Sequence, residues 1–160
     1  MLFHQKELFT HNYNTLLLDS KNRLWFASDD GCVAYVIDEG RFETYRISLK
    51  KQVRSQKELV NVIYEDRKGN IWVGTSEGVY LIDCDSKTIK AHYNLENNLA
   101  RCVLKDSEDQ VWVGFFGGGL GLYDPQLQSI QLFNVLAKFP SNPSMLSTED
   151  SRKRLWVATG

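Results

Sequence analysis

Four copies of one pattern limit what this chain can fold into. The most regular copy is Asp66-Arg67-Lys68-Gly69-Asn70-Ile71-Trp72-Val73-Gly74-Thr75. The others begin Asp19-Ser20-Lys21-Asn22-Arg23-Leu24-Trp25, Asp106-Ser107-Glu108-Asp109-Gln110-Val111-Trp112 and Asp150-Ser151-Arg152-Lys153-Arg154-Leu155-Trp156. In each, an Asp precedes the Trp by six positions, an aliphatic residue precedes it by one, and a small residue follows it by two: Ala27, Gly74, Gly114, Ala158. All 4 tryptophans of the chain lie in this pattern.

Successive tryptophans are 47, 40 and 44 residues apart. A period of about 40–50 residues belongs to propeller blades or to paired-helix repeats. Around each Trp the chain reads as short β-rich runs broken by turn residues, with no long run at helical spacing. Strands are expected near 13–19, 23–28, 32–37 and 41–47 in the first repeat.

The turn ahead of each Trp carries its own mechanism. An Asp opening such a turn accepts backbone N–H groups, and the fourth position often requires positive φ. Gly69, Asn22 and Asp109 tolerate that conformation; Lys153 tolerates it least. Loops of Asp, Asn and Gly also hold calcium, but each loop offers too few acidic ligands at the needed spacing. Turn capping is therefore the expected role of Asp19, Asp66, Asp106 and Asp150.

The strand that follows is apolar on both faces. Trp25, Trp72, Trp112 and Trp156 share a face with the small residue two along, and Phe26, Val73, Val113 and Val157 point the other way. A strand buried on both sides lies between two sheets, as in blades stacked about an axis. The tryptophans are thus expected as interior wedges. Gly31, Gly78 and Gly118 fall six positions after their Trp and mark the next turn.

The expected architecture is all-β: a partial β-propeller of three complete four-stranded blades, with an N-terminal outer strand and a C-terminal half blade. Residues 1–160 form one incomplete domain. A blade remnant lies at 1–9, with its strand at 3–9. Blades follow at 13–47, 59–93 and 99–133, then a half blade at 145–160. The linker 48–58 carries four basic residues and reads as a solvated insertion.

Composition removes several functions. With 19 basic and 20 acidic residues, nothing favours nucleic acid or an acidic membrane surface. There is no apolar run of about 18 residues, so no membrane-spanning helix is expected. Met1 to Glu7 carry no signal-peptide core. The 3 cysteines and 3 histidines are scattered, which argues against zinc. Phe115-Phe116-Gly117-Gly118-Gly119 is glycine-rich, but no helix follows to complete a phosphate cradle. No metal, cofactor or catalytic group is assigned. Phe116, extra relative to the other repeats, is the one aromatic singled out as a ligand contact.

The runs Tyr64-Glu65-Asp66-Arg67-Lys68-Gly69-Asn70-Ile71-Trp72-Val73-Gly74-Thr75-Ser76-Glu77-Gly78-Val79-Tyr80 and Trp112 to Pro125 resemble two-component regulator propeller repeats. Departures are Asn22, Asp109 and Lys153 at the turn glycine, and Phe115 for the usual Thr. The resemblance implies the periplasmic sensor region of a bacterial hybrid histidine kinase, detecting glycan fragments. It implies as partners an oligosaccharide ligand and the remaining blades and kinase of a parent receptor. It also implies that this chain is a fragment or truncated product; outside such a parent, the cytoplasm is the expected compartment. Two alternatives stand beside it. One is a propeller carbohydrate-active enzyme of lyase or sialidase type, for which no converging acids, Arg cluster or Tyr nucleophile stand out. The other is a protein-interaction scaffold. Open blade edges would also permit a homo-oligomer.

Overall fold

A computed structural model describes residues 15–28, 31–47, 60–76, 78–93, 99–116, 119–133 and 143–159. These residues form four antiparallel meanders in chain order. The first sheet holds β1 (Leu16–Leu18), β2 (Arg23–Ser28), β3 (Gly31–Val36) and β4 (Arg41–Arg46). The second holds β5 (Val60–Glu65), β6 (Ile71–Thr75), β7 (Gly78–Asp83) and β8 (Thr88–Tyr93). The third holds β9 (Leu99–Lys105), β10 (Val111–Phe116), β11 (Gly119–Asp124) and β12 (Ser129–Phe133). The fourth pairs β13 (Pro143–Glu149) with β14 (Leu155–Thr159). This is the expected partial propeller of three four-stranded blades and a half blade. The expected strand at 3–9 and the linker 48–58 lie outside the described residues.

One register recurs throughout. Trp25 opposes Leu17, Trp72 opposes Tyr64, Trp112 opposes Leu104 and Trp156 opposes Thr148. Each Trp therefore faces the residue eight positions earlier, across the Asp turn. The first strands of successive sheets lie against one another: β1 on β5, β5 on β9, β9 on β13. The sheets fan outward from that line, and the apolar residues fill the wedges between them.

Two cores result. Between sheets one and two, Trp25, Ala27, Cys32, Tyr45 and Ile47 meet Ile63, Ile71, Val73, Tyr80 and Ile82. Between sheets two and three, Trp72, Val79, Leu81 and Tyr93 meet Ala100, Val103, Val111, Val113 and Phe115. Strand β6 serves both, because period-2 alternation sends Ile71 and Val73 to one side and Trp72 to the other.

Each Trp consequently faces the sheet that follows its own. Trp25 is 0% exposed and Trp72 2% exposed, each under a complete sheet. Trp112, under the two-stranded fourth sheet, is only half-buried. Trp156 is 53% exposed, because among the described residues no further sheet lies against it. The expectation that all four indoles are interior wedges is corrected here for Trp156 and weakened for Trp112.

The small residue two along is explained by the same packing. A Cβ on Gly74 would stand 2.6 Å from Val62 Cγ1 and 3.1 Å from Ala100 Cβ of the next sheet. Gly31, at the turn after β2, is tight for a different reason: with φ +136°, a Cβ there would lie 2.3 Å from the Tyr45 carbonyl oxygen of its own sheet.

Candidate functional site

Each Asp turn is a latch on its own Trp. Asp66 Oδ1 accepts from the backbone N–H of Lys68 (2.8 Å) and Asn70 (3.0 Å), and Oδ2 accepts from the Trp72 indole Nε1 (3.1 Å). Asp19 repeats this with Lys21, Arg23 and Trp25. Asp106 repeats it with Glu108, Gln110 and Trp112, and Asp150 with Arg152, Arg154 and Trp156. The backbone donors are the capping role read from sequence; the indole donor is an added partner. Asn22, Gly69, Asp109 and Lys153 all take positive φ, between 58° and 78°. Burial pushes the Asp19 and Asp66 carboxyls up, but their indole, amide and guanidinium donors outweigh it and hold both below the usual range. For Asp150 the Arg154 guanidinium is the largest influence, holding the carboxyl down to about 2.

The seams between sheets are where the repeats differ. A clasp closes two of them. Ser20 of sheet one donates through N (2.7 Å) and Oγ (2.5 Å) to the Glu65 carboxylate of sheet two. Ser107 does the same to Glu149 of sheet four, at 2.6 and 2.8 Å. At the middle seam Arg67 crosses instead, donating to the Ser107 carbonyl (3.4 Å) and pairing with Asp109 (3.7 Å), while Lys105 pairs with Asp109 inside its own sheet (3.1 Å).

Farther out, the first seam carries a charged plug. Lys87 reaches across from sheet two to Glu43 of sheet one, Nζ to Oε1 at 2.8 Å. Arg41 also pairs with Glu43 (2.5 Å), and Tyr45 donates to it (2.8 Å). Arg23 lies over the Trp25 ring, 5.1 Å from its centroid. Burial pushes the Glu43 carboxyl up, but the Lys87, Tyr45 and Arg41 donors prevail and bring it to about 2.

The middle seam has no such plug. By register, Asn70 stands for Arg23, Ala91 for Glu43, and Gln128 for Lys87. What remains is a cleft of about 790 Å³ between Tyr93 of sheet two and Leu122, Tyr123, Gln128 and Gln131 of sheet three. Trp72, Tyr93 and Tyr123 form its inner wall. Trp72 and Tyr123 centroids are 5.0 Å apart, and the Tyr93 hydroxyl donates to that of Tyr123 at 3.2 Å.

The structure does not bring Phe116 to this cleft. Phe116 is 59% exposed at the far end of β10, with the Arg101 guanidinium 5.2 Å from its ring centroid. Val111, which lines the cleft, begins the same strand, about 16 Å away at strand rise. Gly31 and Gly78 take positive φ at the turns after their strands, whereas Gly118 lies outside the described residues. Among the described residues no group of His, Cys, Asp and Glu is placed to hold a metal ion, and no helix is long and apolar enough to cross a membrane. Sequence reasoning missed the cleft. The signal was present as three aligned substitutions in the repeats, each unremarkable alone.

Residues 56–77 match the two component regulator propeller family. No curated protein sequence matches the chain significantly. Among solved structures, the extracellular domain of a protein described as a hybrid two component system of B. thetaiotaomicron is 30% identical, with TM-score 0.73. It is matched over 96% of this chain and 21% of that one. The extracellular domain of a protein described as a one component system of the same organism is 17% identical, with TM-score 0.80 over 98% of this chain and 21% of that one. Virginiamycin B lyase from Staphylococcus aureus is 16% identical, with TM-score 0.72 over 96% of this chain and 51% of that one. The chain thus spans about a fifth of the length of the two extracellular domains. The two structures at 16–17% identity show likeness of fold alone.

Proposed function

We propose that the chain is a non-catalytic sensor segment of a two-component receptor's extracellular region, periplasmic in its parent, and that its ligand is a glycan fragment. One observation carries the reading: a regulator-propeller repeat at 56–77 sits inside a fold that matches a hybrid two component system's extracellular domain at 30% identity. The latch and clasp residues support it as well, since they are spent on holding turns and seams together. The proposed partners are the remaining blades and kinase of that receptor. Residues 1–160 act as one incomplete propeller domain, and the outer edge of β14, unpaired among the described residues, offers pairing to a second copy.

An array of immobilised oligosaccharides, probed with the chain, tests the ligand. Retention by a subset of glycans is expected, and no retention by any glycan overturns the glycan reading. Incubation with labelled oligosaccharides tests the absence of catalysis: release of shortened or unsaturated products overturns it. Light scattering tests self-association; a strictly monomeric chain at high concentration overturns that part.

A further inference from the structure

From the contrast between the two seams, we infer that the cleft between sheets two and three is a binding site for one short segment of a neutral saccharide. Its location rests on geometry; the ligand class also rests on the glycan-sensing reading above.

The fold shows what a closed seam looks like. At the first seam, Glu43 and Lys87 meet across the gap, and Arg23 and Arg41 complete a charged plug. At the second seam, the positions of Arg23, Glu43 and Lys87 carry Asn70, Ala91 and Gln128, which are shorter or neutral. Where these three charges are missing, the seam holds a cleft of about 790 Å³. That is within the range of small-molecule sites, about 300–1,000 Å³.

A second irregularity points to the same place. The pairing of β7 with β8 shifts register between Leu81 and Ile82, which leaves Lys90 unmatched. The pairings β3 with β4 and β11 with β12 show no such shift. Bulges re-aim side chains and cluster beside functional sites. Here the bulge puts Lys90 on the wall of the cleft, next to Ala91.

The lining selects the ligand. Acids Asp66, Glu108, Asp109 and Asp124 face lysines 68, 90 and 105, so the charges nearly balance and favour neither anion nor cation. The half-buried Tyr123 ring offers an apolar surface for the C–H face of a sugar ring, held from behind by the buried Tyr93, whose hydroxyl donates to its own. Gln128 and Gln131 bring amides that donate and accept together, the chemistry that vicinal hydroxyls require. Gln131 Nε2 is 3.4 Å from Asp124 Oδ2, which steadies it at the rim.

The test rebuilds the plug. Ala91→Glu with Gln128→Lys transplants the Glu43–Lys87 pair into the open seam. A second variant, Gln131→Ala with Lys90→Ala, trims exposed rim residues. Each is titrated, beside the native chain, with short gluco-, manno- and xylo-oligosaccharides while tyrosine ring resonances are followed. The native chain is expected to bind at least one series, with shifts concentrated at Tyr93 and Tyr123. Both variants are expected to lose affinity about tenfold or more, with unfolding midpoints near native. Unchanged affinity in the trimmed variant, or in a folded plugged variant, overturns the site while the glycan reading stands. No binding of any series by the native chain overturns the inference, and failure on the wider array overturns the glycan reading too.

Discussion

Removing the latch carboxylate from a buried turn and from an exposed one separates the contribution of the hydrogen bonds from that of their surroundings. Asp66 is 6% exposed and serves Lys68 N, Asn70 N, Asn70 Nδ2 and Trp72 Nε1. In Asp66→Ala the indole N–H remains under sheet three with no partner, at a cost of about 1–3 kcal/mol, and the turn loses charge-assisted bonds of similar size. Water reaches Lys68 and the turn, so the losses do not sum fully. A total of about 3 kcal/mol is expected, lowering the melting temperature by roughly 6–12 °C. Asp150 makes the same contacts with Arg152 N, Arg154 N and Trp156 Nε1. There the indole is 53% exposed and solvent replaces the lost acceptor. Asp150→Ala is therefore expected to shift melting far less. Calorimetry of both variants decides the matter. Equal destabilisation, or a larger effect at Asp150, refutes the claim that burial under the following sheet gives the latch its weight.

Gly74→Ala is expected to cost about 1–3 kcal/mol by overpacking against Val62 and Ala100, read as a lower denaturant midpoint; a neutral outcome means that sheets two and three are not in contact there. Glu43 titrates near 2 in the folded chain against 4.5 in its ordinary state, so it contributes stability above pH 4.5 that is lost as pH falls toward 2. Glu43→Gln is expected to flatten that part of the acid profile in denaturant titrations from neutral to low pH. Ser20→Ala and Glu65→Gln in a double-mutant cycle are expected to couple by about 0.5–1.5 kcal/mol, since the clasp joins two sheets; zero coupling contradicts it.

The repeat made most of the fold legible. Asp-to-Trp spacing located the turn ahead of each Trp strand, and the aliphatic, Trp and small-residue order assigned the faces of β2, β6 and β10. These features are local, so each copy reveals them alone. Three things were harder to read, and two of them are not local. The exposure of Trp156 depends on whether another sheet lies against it, and among the described residues none does, which no property of its own repeat discloses. The indole-to-carboxylate bond does not follow from the turn alone, because the Trp sits opposite the residue eight positions earlier and its side chain must reach two positions along the hairpin to meet the Asp. The cleft depends on pairs drawn from different sheets. Asn70, Ala91 and Gln128 say nothing separately, and their meaning emerges only beside Arg23, Glu43 and Lys87 in the seam that is filled. Phe116 stands out in the sequence as an aromatic extra to the other repeats; it is exposed, but it lies at the opposite end of its strand from the cleft.

The account stands on sheets that each cover the tryptophan of the sheet before. Hydrogen–deuterium exchange of the four indole N–H groups, followed by NMR, tests this most directly. Slow exchange is expected at Trp25 and Trp72, intermediate exchange at Trp112 and fast exchange at Trp156. Exchange at Trp25 or Trp72 as fast as at Trp156 would contradict it.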